Sequence, residues 1–79
     1  MMVRLRFFAS LRERLGAEMT RQVPRGATVE AVWDAIAAEH PAVARTQVRF
    51  AVAERYVDPD YVMSAGEEVA VFPPVSGGR

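Results

Sequence analysis

The residue types that ordinarily do chemistry are scarce in this sequence, and those present are poorly spaced for it. There is no Cys, which excludes a thiol nucleophile, a thiolate metal site and a disulfide framework. The single His40 stands directly before Pro41 and reads as a helix-end residue, so no metal is expected. Asp58 and Asp60 flank Pro59 and suit a turn, and Glu67-Glu68 reads as a charged turn beside a strand. No Ser-His-Asp or Cys-His set and no glycine-rich phosphate loop is available. The one remaining reactive group is the main-chain carboxylate at the end of Phe72-Pro73-Pro74-Val75-Ser76-Gly77-Gly78-Arg79.

That ending has a mechanical logic. Pro73 and Pro74 remove backbone donors and stop a strand, whereas Gly77 and Gly78 tolerate almost any backbone angle. Extended at ~3.3 Å per residue, Pro73 to Gly78 reaches roughly 20 Å, enough to carry a carboxylate into another protein's active site. A glycine carbonyl, with no Cβ beside it, is open to attack from either face. The other reading of the residues is a frayed terminus of the kind common in linkers.

The elements that must position this tail follow from periodicity. Met2 to Phe8 alternates, with Val3, Leu5 and Phe7 on one face and Arg4, Arg6 and Phe8 on the other, which predicts a half-buried strand. Ser10-Leu11-Arg12-Glu13 has capping-box spacing and Gly16 supplies a left-handed stop, so a short helix is expected over 11–15. A weaker strand follows from Glu18 to Val23, with Met19 and Val23 facing in. Thr28 is an N-cap, Glu30 suits the first turn, and Val29, Val32, Trp33, Ile36 and Ala37 mark the buried stripe of the main helix, ending near His40-Pro41. Val48, Phe50 and Val52 predict a third strand, Tyr56 and Val57 a short edge strand, and Val69 to Phe72 a last strand running into the tail. This order predicts an α+β, β-grasp (ubiquitin-like) fold: a mixed sheet of about five strands packed on one main helix, plus a short helix. The expected division is a domain over 1–72 and a flexible tail over 73–79.

One helix covers one sheet face, so the other is left to solvent or a partner. By alternation Phe8 and Phe72 fall on that other face, and Tyr56 extends the same patch; docking a partner and packing under a loop are both open readings. With ten basic and ten acidic residues the formal charge is zero, which argues against nucleic-acid binding. All basic residues are Arg, so self-linked chains joined through lysine are excluded. No apolar run approaches the ~20 residues of a membrane span, and a cytoplasmic location is expected.

Phe7-Phe8-Ala9 with Leu11-Arg12-Glu13 and Gly16, Thr28-Val29-Glu30-Ala31-Val32, and Ala65-Gly66-Glu67-Glu68-Val69-Ala70-Val71-Phe72-Pro73-Pro74-Val75-Ser76-Gly77-Gly78 together resemble the small, sulfur-carrying subunit of molybdopterin synthase, the MoaD family, over nearly the whole chain. A Gly-Gly ending is shared with ubiquitin and the thiamine sulfur carrier; Phe-Pro-Pro-Val-Ser-Gly-Gly is far more selective. The resemblance implies that an activating enzyme related to the ubiquitin-activating enzymes adenylates the glycine carboxylate with MgATP, and that a sulfur donor converts it to a thiocarboxylate. The tail would then enter the large synthase subunit, in an expected heterotetramer, and pass sulfur to cyclic pyranopterin monophosphate. Gly78 would carry the sulfur, Gly77 would give clearance, and Phe8, Tyr56, Phe72, Pro73, Pro74 and Val75 would meet the partner. The chain itself would bind no cofactor, and the catalytic groups would belong to the partners.

Two departures stand out. Ala53 occupies a position where relatives often have Asn. Arg79 follows the second glycine, so activity is expected only once it is removed by a peptidase, unless it marks a junction with a fused large subunit or an artefact of cloning. Sulfur delivery to thiamine, cysteine or transfer RNA, and an inert ubiquitin-like binding module, are the alternatives.

Overall fold

The alternation at the start of the chain becomes strand β1 (Met2–Phe7), whose Val3, Leu5 and Phe7 are all buried while Met2, Arg4 and Arg6 are exposed. A computed structural model describes residues 1–74; the expectations that fall on Val75, Gly77, Gly78 and Arg79 lie outside the described residues. The remaining elements are α1 (Ser10–Leu15), β2 (Glu18–Gln22), α2 (Val29–Glu39), a 3-10 turn (Pro41–Val43), β3 (Arg49–Val52), β4 (Arg55–Val57) and β5 (Glu68–Phe72). The five strands form one mixed sheet in the order β2-β1-β5-β3-β4, with β1 and β5 parallel at its centre and the other pairs antiparallel. This is the β-grasp fold that the element order predicts.

Helix α2 lies on one sheet face because its apolar residues recur on one stripe: Val29, Val32, Trp33, Ile36 and Ala37 are the five buried positions, as expected. They meet Val3, Leu5, Phe7, Phe50, Val69 and Val71 in one core, with Trp33 tilted against Phe7 at 6.4 Å between ring centroids. Thr28 caps the helix, its Oγ1 accepting the Ala31 amide at 3.1 Å. The Val29 and Glu30 amides, which have no partner inside the helix, donate to the Tyr61 and Pro59 carbonyls. The Asp58-Pro59-Asp60 turn thus anchors α2. Ile36 is fully buried, and Ile36→Ala is expected to cost about 2–5 kcal/mol in a urea titration, a large share of the stability of so small a domain. Asp34→Ala on the exposed face of the same helix should stay within about 0.5 kcal/mol.

Local details correct the sequence reading in three places. Ser10 is not an N-cap: it is the first helical residue, and the capping position is Ala9, at φ 53° and ψ −130°, with no side-chain capping bond. The first turn is closed instead by main-chain bonds from Leu11 to Phe8 and from Arg12 to Ala9, because the chain reverses sharply there. Gly16 ends α1 at φ 92°, but its ψ of 176° is extended rather than left-handed helical. Val43 and Met63 are core residues outside any periodic segment; Pro41 opens the turn that buries Val43, and the Met63 amide bonds the Ala27 carbonyl.

The β3–β4 hairpin turns through Ala53 and Glu54 alone, since Val52 pairs with Arg55. Both turn residues have positive φ, 51° and 67°, the backbone that Asn-Gly adopts readily and that a Cβ opposes. Ala53→Asn is therefore expected to stabilise the domain by about 1 kcal/mol, raising its melting temperature roughly 4–8 °C in a calorimetric scan.

Candidate functional site

The sheet face turned away from α2 is where the candidate residues meet. β1 and β5 run parallel with Arg6 beside Ala70 and Phe7 beside Val71, which brings Phe8, just past the end of β1, alongside Phe72. Their rings stack at 4.6 Å and 14°. Tyr56 reaches the same spot from β4 by way of β3, where Ala51 lies between Tyr56 on one side and Ala70 on the other. Its ring meets Phe72 edge-on at 6.1 Å and 69°. Because Ala51 and Ala70 are small, the three rings stand above the sheet rather than being buried by their neighbours. Tyr56 is 62% exposed, and Phe8 and Phe72 are half-buried.

Phe72 is also the last residue of β5, so Pro73 and Pro74 leave the sheet at the edge of this patch. Phe8, Tyr56, Phe72, Pro73 and Pro74 line one hollow of about 310 Å³ together with Ala9 and Arg49. The structure therefore gathers five of the expected partner-binding residues at the root of the tail; Val75, Gly77 and Gly78 lie outside the described residues. Two arginines stand over the rings, Arg49 with its guanidinium carbon 4.4 Å from the Tyr56 centroid and Arg6 at 5.7 Å from that of Phe8. Sequence periodicity gives no sign of these contacts, which come from cross-strand register.

The anchoring of β5 is equally local. The Gly66 amide donates to the Met2 carbonyl at 2.7 Å, with Gly66 at φ 77°, and the Arg4 amide donates to the Glu67 carbonyl. The Glu67 carboxylate accepts both the Ser64 amide and the Tyr61 hydroxyl, at 2.9 and 2.7 Å. Donation to that carboxylate holds the Tyr61 hydroxyl above its ordinary pKa. Glu67, read from sequence only as part of a charged turn, thus fixes where β5 begins. Arg21 makes a two-pronged ion pair with Glu39, at 2.7 and 2.8 Å, tying edge strand β2 to the end of α2. Arg21 hydrogen bonding holds the Glu39 carboxyl below its ordinary pKa.

None of these groups forms a catalytic constellation. Among the described residues no polar or charged side chain is buried, and no three His, Asp or Glu residues cluster as metal ligands would. His40 caps the end of α2. No helix among them is long and apolar enough to cross a membrane.

The ThiS family's sequence model matches residues 5–78. The human molybdopterin synthase sulfur carrier subunit is 38% identical over 96% of this chain and 93% of its own length. The Escherichia coli protein of the same name is 36% identical over 98% of this chain and all of its own. Among solved structures, SAMP1 from Haloferax volcanii superposes with a TM-score of 0.81 at 29% identity, covering 99% of this chain and 100% of that one. The subunit 1 and 2 complex of the molybdopterin-converting factor from Helicobacter pylori contains a chain with the same fold, at TM-score 0.68 and 21% identity, covering 99% and 100%. The aromatic face, the Pro-Pro exit beside it and this near full-length similarity lead to one conclusion: the chain belongs to the ThiS family, in its molybdopterin synthase sulfur carrier (MoaD) branch.

Proposed function

We propose that this chain is the sulfur carrier of a molybdopterin synthase, acting through the carboxylate of Gly78. The observation that carries the reading is the placement of Phe8, Tyr56 and Phe72 around the point where the tail leaves β5. A partner that covers these rings is positioned to receive the tail, because Phe72 is both a docking residue and the start of the exit.

In the proposed cycle Arg79 is first removed, freeing the Gly78 carboxylate. An adenylating enzyme binds MgATP; a carboxylate oxygen attacks the α-phosphorus, pyrophosphate leaves, and the carbonyl becomes electrophilic. Sulfide-level sulfur from a donor attacks that carbonyl, the carbonyl C–O bond to AMP breaks as AMP leaves, and a thiocarboxylate remains. The carrier then docks on the large subunit, in a heterotetramer, and its sulfur passes to cyclic pyranopterin monophosphate; two such deliveries build the dithiolene. In each delivery the thiocarboxylate sulfur bonds to a substrate carbon and water then cleaves the Gly78 acyl–sulfur bond, returning a carboxylate, so the carrier is reloaded rather than consumed. The described residues contribute docking and aim, and the partner enzymes supply nucleotide and proton transfer.

The test is reconstitution in vitro. The chain ending at Gly78, loaded as thiocarboxylate and mixed with the large subunit and cyclic pyranopterin monophosphate, is expected to yield the dithiolene product by mass spectrometry. Loading without product formation, followed by sulfur delivery to a thiamine precursor or transfer RNA, would assign the carrier to another pathway.

A further inference from the structure

Among the described residues Arg49 is the one cation that lines the hollow at the root of the tail, and its chemistry is unspent. It lies on β3 in register with Phe72 of β5, on the face away from the core. Its guanidinium stacks on the Tyr56 ring at 4.4 Å, yet among the described residues it makes neither a hydrogen bond nor an ion pair. Arg4 and Arg21, by contrast, pair with Glu68 and Glu39. Asp58 lines a hollow with Arg49 but does not come within ion-pair distance.

Stacking changes what such a residue can do. The ring holds the guanidinium plane and so removes part of the entropy that an exposed arginine loses on binding, while the N–H edge of the fork stays free for a planar acceptor. Arg49 lines the same hollow as Phe8, Phe72, Pro73 and Pro74. A pre-oriented donor beside an apolar socket matches a carboxylate set next to an apolar side chain, since a carboxylate accepts both prongs of the fork.

We infer that Arg49 is a specificity-determining residue of the docking face, taking a carboxylate of the large subunit placed beside the group that covers Phe72. This rests on the proposed docking of the large subunit on the aromatic face.

The experiment is calorimetric titration of purified large subunit with the whole chain, at about 50 mM and about 500 mM salt, where the Debye length falls severalfold. Arg49→Glu is expected to weaken binding about tenfold or more at low salt, and less at high salt, because like charges then face each other at the rim. Arg49→Gln, which removes the charge without reversing it, should show a smaller loss in the same direction. Arg49 is exposed, so both variants should keep the far-ultraviolet circular dichroism of the parent. Unchanged binding by Arg49→Glu together with loss of binding by Phe72→Asp would overturn the inference while leaving the docking face in place. Unchanged binding by both would overturn the docking reading and the inference with it. If the Arg49→Glu effect vanishes in chains lacking residues 77–79, Arg49 acts on the chain's own tail, which also overturns it.

Discussion

Phe72→Asp is expected to weaken large-subunit binding by roughly thirtyfold or more while the domain stays folded. The side chain is half-buried on the sheet face opposite the core, stacked on Phe8 and edge-on to Tyr56. In the free chain an aspartate there still reaches water, so the fold tolerates it. In the proposed complex the same carboxylate would be desolvated among apolar groups without a partner. Hot-spot losses of this kind run to about 2–4 kcal/mol, or roughly thirtyfold to a thousandfold in affinity. Val71→Asp one residue earlier is the control: Val71 is fully buried in the core, and a charge there should unfold the domain rather than merely undock it. Calorimetric titration separates the two outcomes, with circular dichroism reporting the fold.

Removing residues 77–79 is expected to give the opposite pattern. Sulfur loading should fall to zero, because the proposed acceptor carboxylate is gone, while affinity for the large subunit should change only a few-fold if the aromatic face holds most of the binding energy. A truncated chain should therefore compete with the loaded carrier and inhibit product formation in a reconstituted assay. Failure to compete would locate the binding energy in the tail instead.

Much of this arrangement could be read from the residues in order. The buried stripe of α2 is legible because Val29, Val32, Trp33, Ile36 and Ala37 repeat at helical spacing, and the buried side of β1 because Val3, Leu5 and Phe7 alternate. The aromatic patch is legible for a related reason: alternation puts Phe8 and Phe72 on the outer face, and the β-grasp order sets their strands side by side. Val43 and Met63 are not legible, since isolated apolar residues in turns carry no period. Ser10 misleads because the capping-box pattern is local, whereas the reversal at Ala9 is set by how β1 hands over to α1. The Tyr61–Glu67 hydrogen bond and the stacking of Arg49 on Tyr56 depend on turn geometry and register that no linear pattern encodes. Ala53 carries no period that marks it as a turn residue, and the positive φ at the hairpin supplies the physical reason an asparagine suits that position.

The Gly78 carboxylate is expected to accept sulfur once Arg79 is gone. The most direct measurement is the intact mass of the chain after incubation with MgATP, a sulfide source and the host's adenylating enzyme, comparing the full sequence with a chain ending at Gly78. An oxygen-to-sulfur mass increase confined to the shorter chain is the predicted result. No increase in either chain, with the enzyme active on a known carrier, would contradict the account and leave a ubiquitin-like binding module in its place.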